Sequence, residues 1–427
     1  MHGRLNSFQK TMVQWYDLHP YNAVHVVRLS GAVNEARLRH ALNARLAQLG
    51  LTHLEFDREA GTFRYHGGPW DCPVKFPALS ADPVATLKAE IERQLNTAFI
   101  PEGRFSPFRF FVLPATDCFY LGLAYFHPVA DAESIVWLLR DLVRAYRSGA
   151  EPEISKALNL YPDHRAHLLS RWPGVVAAKL SALPAQTRNL RQSHRPRYHA
   201  PQDGSIGFKL FSLPPEHLQR LLARAKSWEV TVNDLLLALL MKSVSPMSVS
   251  RAKSATVGCI VNLRRELSMD SARAFGLFLG SFTVTHPVPE GIPLRELAGD
   301  IRRQTLAIKQ RQLYLATPME LALGRFVLRF FSPERRRTFY QKNYPLWGGL
   351  TNMNLNVLWE QSEADGALDY FRGVSTGPVT PLVFSVTTFG GHANVGLSFR
   401  RTVFSPEDIQ GVYRSFLEHL DQLSEAA

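Results

Sequence analysis

Apolar and polar positions in the first 150 residues switch repeatedly between a period of two and a period near 3.6. Residues 22–29 (NAVHVVRL) alternate as a strand does, whereas 34–49 set Leu38, Ala41, Leu42, Leu46 and Leu49 on one helical stripe. Residues 53–56 and 62–65 read as short strands meeting at the Ala60-Gly61 turn, and 84–95 as a second amphipathic helix. Residues 108–113 and Cys118–Phe126 read as strands joined by the turn 114–117. A strongly amphipathic helix follows over 135–146 and is stopped at Ser148-Gly149.

From 161 to 202 the periodicity dissolves into proline, histidine and arginine, apart from a short stripe (Trp172, Val176, Leu180, Leu183) that predicts a helix over 172–183. That helix would dock across two lobes; lying in a lipid interface is the alternative for so basic a segment. The α/β mixture then resumes. Strands are expected at 206–213, 256–263, 355–359, 382–388 and 394–400, and helices at 215–228, 233–244, 294–312 and 406–423. No fixed-period repeat, phosphate loop or dinucleotide fingerprint is present. The pattern predicts a layered α/β protein with an N-terminal lobe over 1–165, a basic connecting segment over 166–204 and a C-terminal lobe over 205–427.

Composition narrows the class. With 427 residues, 45% hydrophobic and 20% charged, the chain can fill a large core. Cys72, Cys118 and Cys259 are far apart, which excludes a disulfide framework and metal-finger spacing and fits small apolar side chains in a reducing compartment. His164 and His167 have no third ligand nearby in sequence, so no metal site is expected. The N-terminus shows no signal-peptide pattern, and the longest apolar run, 235–241, is too short to span a bilayer. A cytoplasmic monomer is expected.

The net charge of +12 is concentrated in two places. Residues 164–200 carry seven Lys or Arg and no acid, and a second cluster comprises Arg325, Arg329, Arg335, Arg336, Arg337 and Lys342. Such surfaces attract an anionic partner: nucleic acid, phospholipid, a nucleotide-bearing thioester or an acidic carrier protein, among which charge alone does not choose. No nucleic-acid motif accompanies them, so nucleic acid is not an expected partner.

The candidate chemistry lies at the end of the strand Cys118–Phe126. Both faces of that strand are apolar, which marks it as central, and it runs into Phe126-His127-Pro128-Val129-Ala130-Asp131-Ala132. A histidine at such a strand end is held rigidly and titrates near neutrality, as a general base must. Asp131 precedes a helix, where capping is the ordinary role of aspartate. Ser134 has no nucleophile-elbow context and reads as a capping residue. His19, in His19-Pro20-Tyr21-Asn22, reads as a loop-shaping residue.

The segment 126–132 resembles the His-His-x-x-x-Asp-Gly motif of peptide-synthetase condensation domains and of polyketide-associated, alcohol-acetylating and chloramphenicol-acetylating acyltransferases. His127 and Asp131 align with the second histidine and the aspartate; Phe126 and Ala132 replace the first histidine and the glycine. Leu5-Asn6-Ser7-Phe8-Gln9 loosely resembles an opening Ser-x-x-Gln motif. Phe275-Gly276-Leu277-Phe278-Leu279-Gly280 resembles a Gly-x-Phe-x-Asn segment with glycine at the asparagine place, and 233–244 a buried helix of the second lobe. The later Arg-Asp-x-Ser-Arg-Asn signature is absent, and Thr351-Asn352 stands where the acyltransferase branch often has Ser-Asn.

The resemblance implies two chloramphenicol-acetyltransferase-like lobes in a V with a tunnel between them. It implies an acyl group moved from a phosphopantetheine thioester, on an acyl or peptidyl carrier protein or coenzyme A, to a hydroxyl or amine of a small acceptor, without a permanently bound cofactor. His127 would be the base; Asp131 would pair with an arginine, for which Arg264 is the candidate and Arg265 the alternative. Asn352 and Ser281 could line the acceptor channel or donate to an oxyanion; turn or packing roles compete at both. A catalytically silent module that recruits a carrier protein or partner enzyme is the alternative function.

Overall fold

The computed structural model describes residues 1–78, 80, 82–149, 159–161, 165–247, 254–267, 274–287, 289–359 and 364–425. The sequence reading of His164, and of the side chain of His167, lies outside them. The strand Cys118–Phe126 is the centre of a five-stranded sheet ordered Ala367–Val374, Asn22–Ser30, Cys118–Phe126, Phe108–Pro114 and Val74–Lys75. All its pairings are antiparallel except the last. On one face Leu121, Leu123 and Tyr125 pack with the helices Glu35–Gln48 and Ala132–Ser148 through Leu38, Leu42, Ile135, Leu139 and Leu142. On the other, Tyr120 and Ala124 meet Leu87, Ile91 and Leu95 of the helix Pro83–Asn96. An unbroken apolar strand is therefore covered on both sides, as its sequence predicts.

A second sheet of six strands is ordered Leu279–His286, Ala255–Asn262, Gly348–Asn354, Leu382–Phe389, His392–Arg400 and Ile206–Leu213. The fully apolar stretch of the helix Val232–Val244 is buried against it, with Pro406–Glu425 and Leu294–Gln310 alongside. Thr231 and Asp234 close a reciprocal cap at the start of the buried helix, so the sequence breaks into helix where its donors are satisfied. At the sheet edge Phe208 donates its backbone N–H to Glu92 Oε2 (2.8 Å), and Asn96 exchanges hydrogen bonds with the backbone of Ile206. The helix Pro83–Asn96 thus covers an edge strand of the second sheet while packing on the first.

Several elements differ from the sequence expectation. The expected strand 355–359 is a single 3-10 turn, Leu355–Val357, and the strand is Gly348–Asn354 just before it. Strands not visible in the pattern include the two long ones Leu279–His286 and Ala367–Val374. The latter carries Asp369, Arg372 and Gly373 and so lacks an apolar signature. Most of its polar groups are met across the structure: Asp369 accepts from Asn394 Nδ2 at 2.6 Å, and Arg372 donates through Nε and Nη2 to Thr387 Oγ1, Val386 O and Thr351 O. This strand comes from the second half of the chain and completes the sheet of the first. It crosses the second sheet so closely that a Cβ on Gly396 would come within 2.0 Å of Arg372 O.

The connecting segment holds one helix, Arg165–Gln192, running through Pro173 and Pro184 and longer than the expected 172–183. Val175 is buried and Trp172 partly so, against Leu263, Leu267 and Tyr314. The helix is docked at Val175 on residues of the second half of the chain, while Leu180 and Leu183 of the expected stripe are exposed at 64% and 54%, so the stripe does not bridge two lobes as expected. Two further helices, Thr317–Leu328 and Pro333–Asn343, occupy the region that the sequence marked only as basic. The three cysteines are unpaired, and burial pushes the thiols of Cys72 and Cys259 up to about 12. Among the described residues no single helix is long and apolar enough to cross a membrane.

Candidate active site

The chain leaves the central strand at Phe126 and makes one 3-10 turn, His127–Val129, before Asp131 caps the helix Ala132–Ser148. Every carbonyl of the turn is held by a different group. Pro128 O accepts from Gln9 Nε2 (3.0 Å), Val129 O from the Tyr161 hydroxyl (2.7 Å), and Ala130 O from His127 Nδ1 (3.1 Å). Since a carbonyl oxygen only accepts, Nδ1 carries the ring hydrogen and Nε2 the lone pair. Among the described residues nothing hydrogen-bonds Nε2. The imidazole lies flat against Tyr21, centroids 5.3 Å apart, with the edge of Tyr125 at 5.5 Å. Burial lowers the His127 pKa; the Ala130 carbonyl and the Asp131 carboxylate act the other way.

Asp131 carries four hydrogen bonds. Oδ1 accepts from Ser134 N (3.0 Å) and Arg264 Nη2 (2.9 Å), and Oδ2 from Arg264 Nη1 (2.7 Å) and Phe278 N (3.0 Å). Arg264 is the partner, and the fork-to-fork pair is 2% and 1% exposed. The Ser134 hydroxyl, placed by the cap, accepts from Arg264 Nη2 and Gly276 N and donates to Gly276 O. Asp131 is the cap and Ser134 the capped residue, which corrects the reading of Ser134 as a cap. One carboxylate therefore ties together the helix start after His127, the end of the strand Ala255–Asn262 and the loop 276–278.

Opening residues 6–9 clamp the same loops. Asn6 and Gln9 form a reciprocal cap at the start of the helix Ser7–Tyr16, and Asn6 Nδ2 also donates to Leu277 O at 2.9 Å. The Asn6-x-x-Gln9 spacing thus serves the helix and the His127 turn together. Phe126, in place of a histidine, sits in an aromatic box of Tyr16, Phe56, Phe99 and Phe105, with centroids 4.7 to 6.2 Å away. Packing supports the turn from that side. Ala132 is the first residue of its helix, where a Cβ is accommodated.

Ser281 and Asn352 lie elsewhere in the hydrogen-bond network. Ser281 N donates to Thr317 Oγ1 at 2.9 Å, and Asn352 Nδ2 donates to Asn233 Oδ1 at 2.8 Å. Among the described contacts neither reaches His127. His19 packs over Gly204, where a Cβ would meet its ring. The sequence reading missed Tyr21, Tyr125 and Tyr161. Each contacts the His127 turn from a segment whose only sequence signal is an aromatic residue in or beside a strand.

Three histidines have lowered pKa values. His19 is lowered to about 3 by burial and then by Arg400, His25 well below its usual value by burial and then by Arg372, and His127 by burial. In the unfolded chain each titrates near ~6.5, so between that pH and the lower folded values the unfolded state binds more protons. Stability from these groups is fully present above about pH 6.5 and declines as the pH falls towards the folded pKa values. Imidazole nitrogen NMR at about pH 5.5 should find His19 and His25 neutral while ordinary exposed histidines protonate, with His127 titrating below its unfolded value. A protonated signal assigned to His19 at that pH would contradict its buried environment.

A mixed two-lobed fold with a histidine turn clasped across the lobes is where the comparisons with known proteins bear. The condensation-domain family model matches residues 4–427, and the chain belongs to that family. No curated protein matches the sequence. Among solved structures it is similar to the condensation domain of the monacolin K polyketide synthase MokA, at 12% identity and a TM-score of 0.70, over 100% of this chain and 98% of that one. It is similar to the first condensation domain of the calcium-dependent antibiotic synthetase bound to a substrate analogue, at 15% identity and a TM-score of 0.72, over 100% and 97%. It is also similar to the epimerization domain from the third module of tyrocidine synthetase B, at 16% identity and a TM-score of 0.67, over 100% and 97%. At these identities the likeness is one of fold. The family forms amide or ester bonds between carrier-bound substrates, with no permanent cofactor, and some members are epimerization domains.

Proposed function

We propose that this chain transfers an acyl group from a phosphopantetheine thioester, on a carrier protein or coenzyme A, to a hydroxyl or amine, with His127 as general base. The observation that carries the reading is the His127 ring. Its Nδ1–H is committed to Ala130 O, its plane is fixed by Tyr21, and its Nε2 lone pair is unclaimed among the described residues. A neutral hydroxyl is a weak nucleophile and an ammonium is none, so attack must be coupled to proton removal. Nε2 takes that proton as the oxygen or nitrogen bonds to the thioester carbonyl. The C–S bond then breaks, and the proton passes to the departing sulfur, leaving ester or amide and free thiol. No acyl-enzyme is required, because positioning two substrates on one base supplies much of the rate.

Asp131 and Arg264 are positioning residues in this scheme. Their ion pair fixes the turn, and the Asp131 carboxylate favours the imidazolium formed when His127 accepts the proton. Ser281 and Asn352 keep a possible part as channel-lining residues. The basic segment 166–204 suits an acidic carrier protein or the phosphates of coenzyme A.

The full-length protein should be offered acyl thioesters on coenzyme A and on carrier protein, each with hydroxyl and amine acceptors, and the products read by mass spectrometry. Ester or amide appearing in step with free thiol is the expected result. Carrier protein bound without turnover of any donor would instead favour the silent recruiting module.

A further inference from the structure

Beyond its first turn, the helix Thr317–Leu328 is fastened along the side that faces the opening helix. Leu328 is buried in a cluster with Phe8 and Met12 of the opening helix, Leu321 packs against it, and Arg325 donates to Ser7 O (2.5 Å) and Thr11 Oγ1 (2.9 Å). On the opposite side Leu323, Phe326 and Val327 follow at spacings of three and four, and Phe330 stands in the turn just past the helix end. They are among the more exposed large apolar side chains of the chain: 63% for Leu323, 60% for Phe326 and 73% for Phe330. Phe326 and Phe330 meet edge to face at 5.4 Å, so they form a knob rather than scattered exposed rings.

The surroundings of the knob are cationic. Between 325 and 342 the chain has six Arg or Lys and a single acid, Glu334. Arg336 is occupied in closing the preceding helix, through Leu328 O and Phe331 O. Arg329 and Arg335 are exposed and form no ion pair among the described residues. Lys179, in the helix Arg165–Gln192, pairs with Glu320 at 2.5 Å and brings the acid-free basic run alongside. One turn from that pair on each helix, Leu183 and Leu323 are both exposed.

We infer that this face seats the protein on an anionic lipid surface. Exposed Phe and Leu side chains flanked by arginines suit a lipid surface, which moulds around them and accepts the rings at the headgroup boundary. The flanking arginines supply the attraction that negative lipid requires. The surface lies apart from the Trp172 side of the connecting helix, which is docked onto the protein. It is independent of the chemistry assigned to His127.

Vesicle co-sedimentation of the full chain tests the inference, using phosphatidylcholine alone and phosphatidylcholine with about one third phosphatidylglycerol. The wild type should bind the anionic vesicles, and raising the salt should weaken the binding. Phe326→Ser with Phe330→Ser should lower partitioning at least about tenfold with an unchanged thermal melt, because both rings are already exposed. Phe330→Ser alone is the milder control, and Arg329→Gln with Arg335→Gln should lower binding to anionic vesicles selectively. No binding, equal binding to neutral vesicles, or binding indifferent to the Phe variants would each overturn the inference. So would self-association, or capture of an acidic carrier protein, that is lost in the Phe variants when vesicles are not bound.

Discussion

His127→Ala is expected to lower the rate of acyl transfer by about 10²- to 10⁴-fold, the usual worth of a positioned general base. The loss should fall on kcat more than on KM, because the ring is proposed to act on the proton transferred in the transition state. Folding should survive. The turn keeps the Gln9, Tyr161 and Asp131 bonds, and its carbonyls at 128 and 129 are held without the imidazole. Circular dichroism and urea denaturation of the variant provide that control. Turnover equal to wild type, measured by thiol release and product mass, would remove His127 from the mechanism. The residual rate of a nucleophile already deprotonated at high pH offers a second check, since an acceptor that no longer needs a base should be less sensitive to the substitution.

Arg264→Ala should have the larger effect on stability, about 3–5 kcal/mol in denaturant titration, because it leaves the Asp131 carboxylate buried without its counter-charge. The pair lies at the junction of three segments, and its loss also removes the bonds from the guanidinium to Ser134 Oγ and Ala274 O. Activity should fall with stability, through a loosened His127 turn. Arg264→Lys should recover only part of either, since an ammonium cannot bridge both carboxylate oxygens. Asp131→Asn retains a capping side chain but strands the arginine, and should likewise cost stability as well as rate. The double variant Asp131→Asn, Arg264→Met separates pairing from positioning. If stability returns and activity does not, the ion pair serves geometry. A single Arg264→Ala variant as stable as wild type would show that the clasp contributes nothing measurable.

What could be read in the sequence was what is local. The central strand, its terminal histidine and the following helix stand within 31 contiguous residues, 118–148, and announce themselves by period and by motif. Asp131 was legible as a cap from its position before a helix. Its arginine was reached through resemblance, and two adjacent arginines fitted equally until Arg264 was found on the carboxylate. The aromatic residues around Phe126 and the tyrosines against His127 come from segments up to about a hundred residues away, where nothing distinguishes a site-lining ring from a core ring. The strand Ala367–Val374 was hidden because its polar side chains are satisfied by distant groups. The exposed stripe on Thr317–Leu328 was hidden for the converse reason: the same 3.6 spacing marks a core-facing helix, and only the structure shows which side is covered.

That late strand also limits how the chain can be divided. A fragment ending near residue 204 would contain the His127 turn intact in sequence, yet Asn22–Ser30 would lose the partner that hydrogen-bonds its outer side. An open, apolar strand edge of this length is a template for pairing with other copies, so such a fragment belongs in inclusion bodies. Co-expressed halves should fare differently, with the second half donating residues 367–374 and rescuing its companion in trans. Cuts that respect this exchange keep residues 367–374 together with the first sheet.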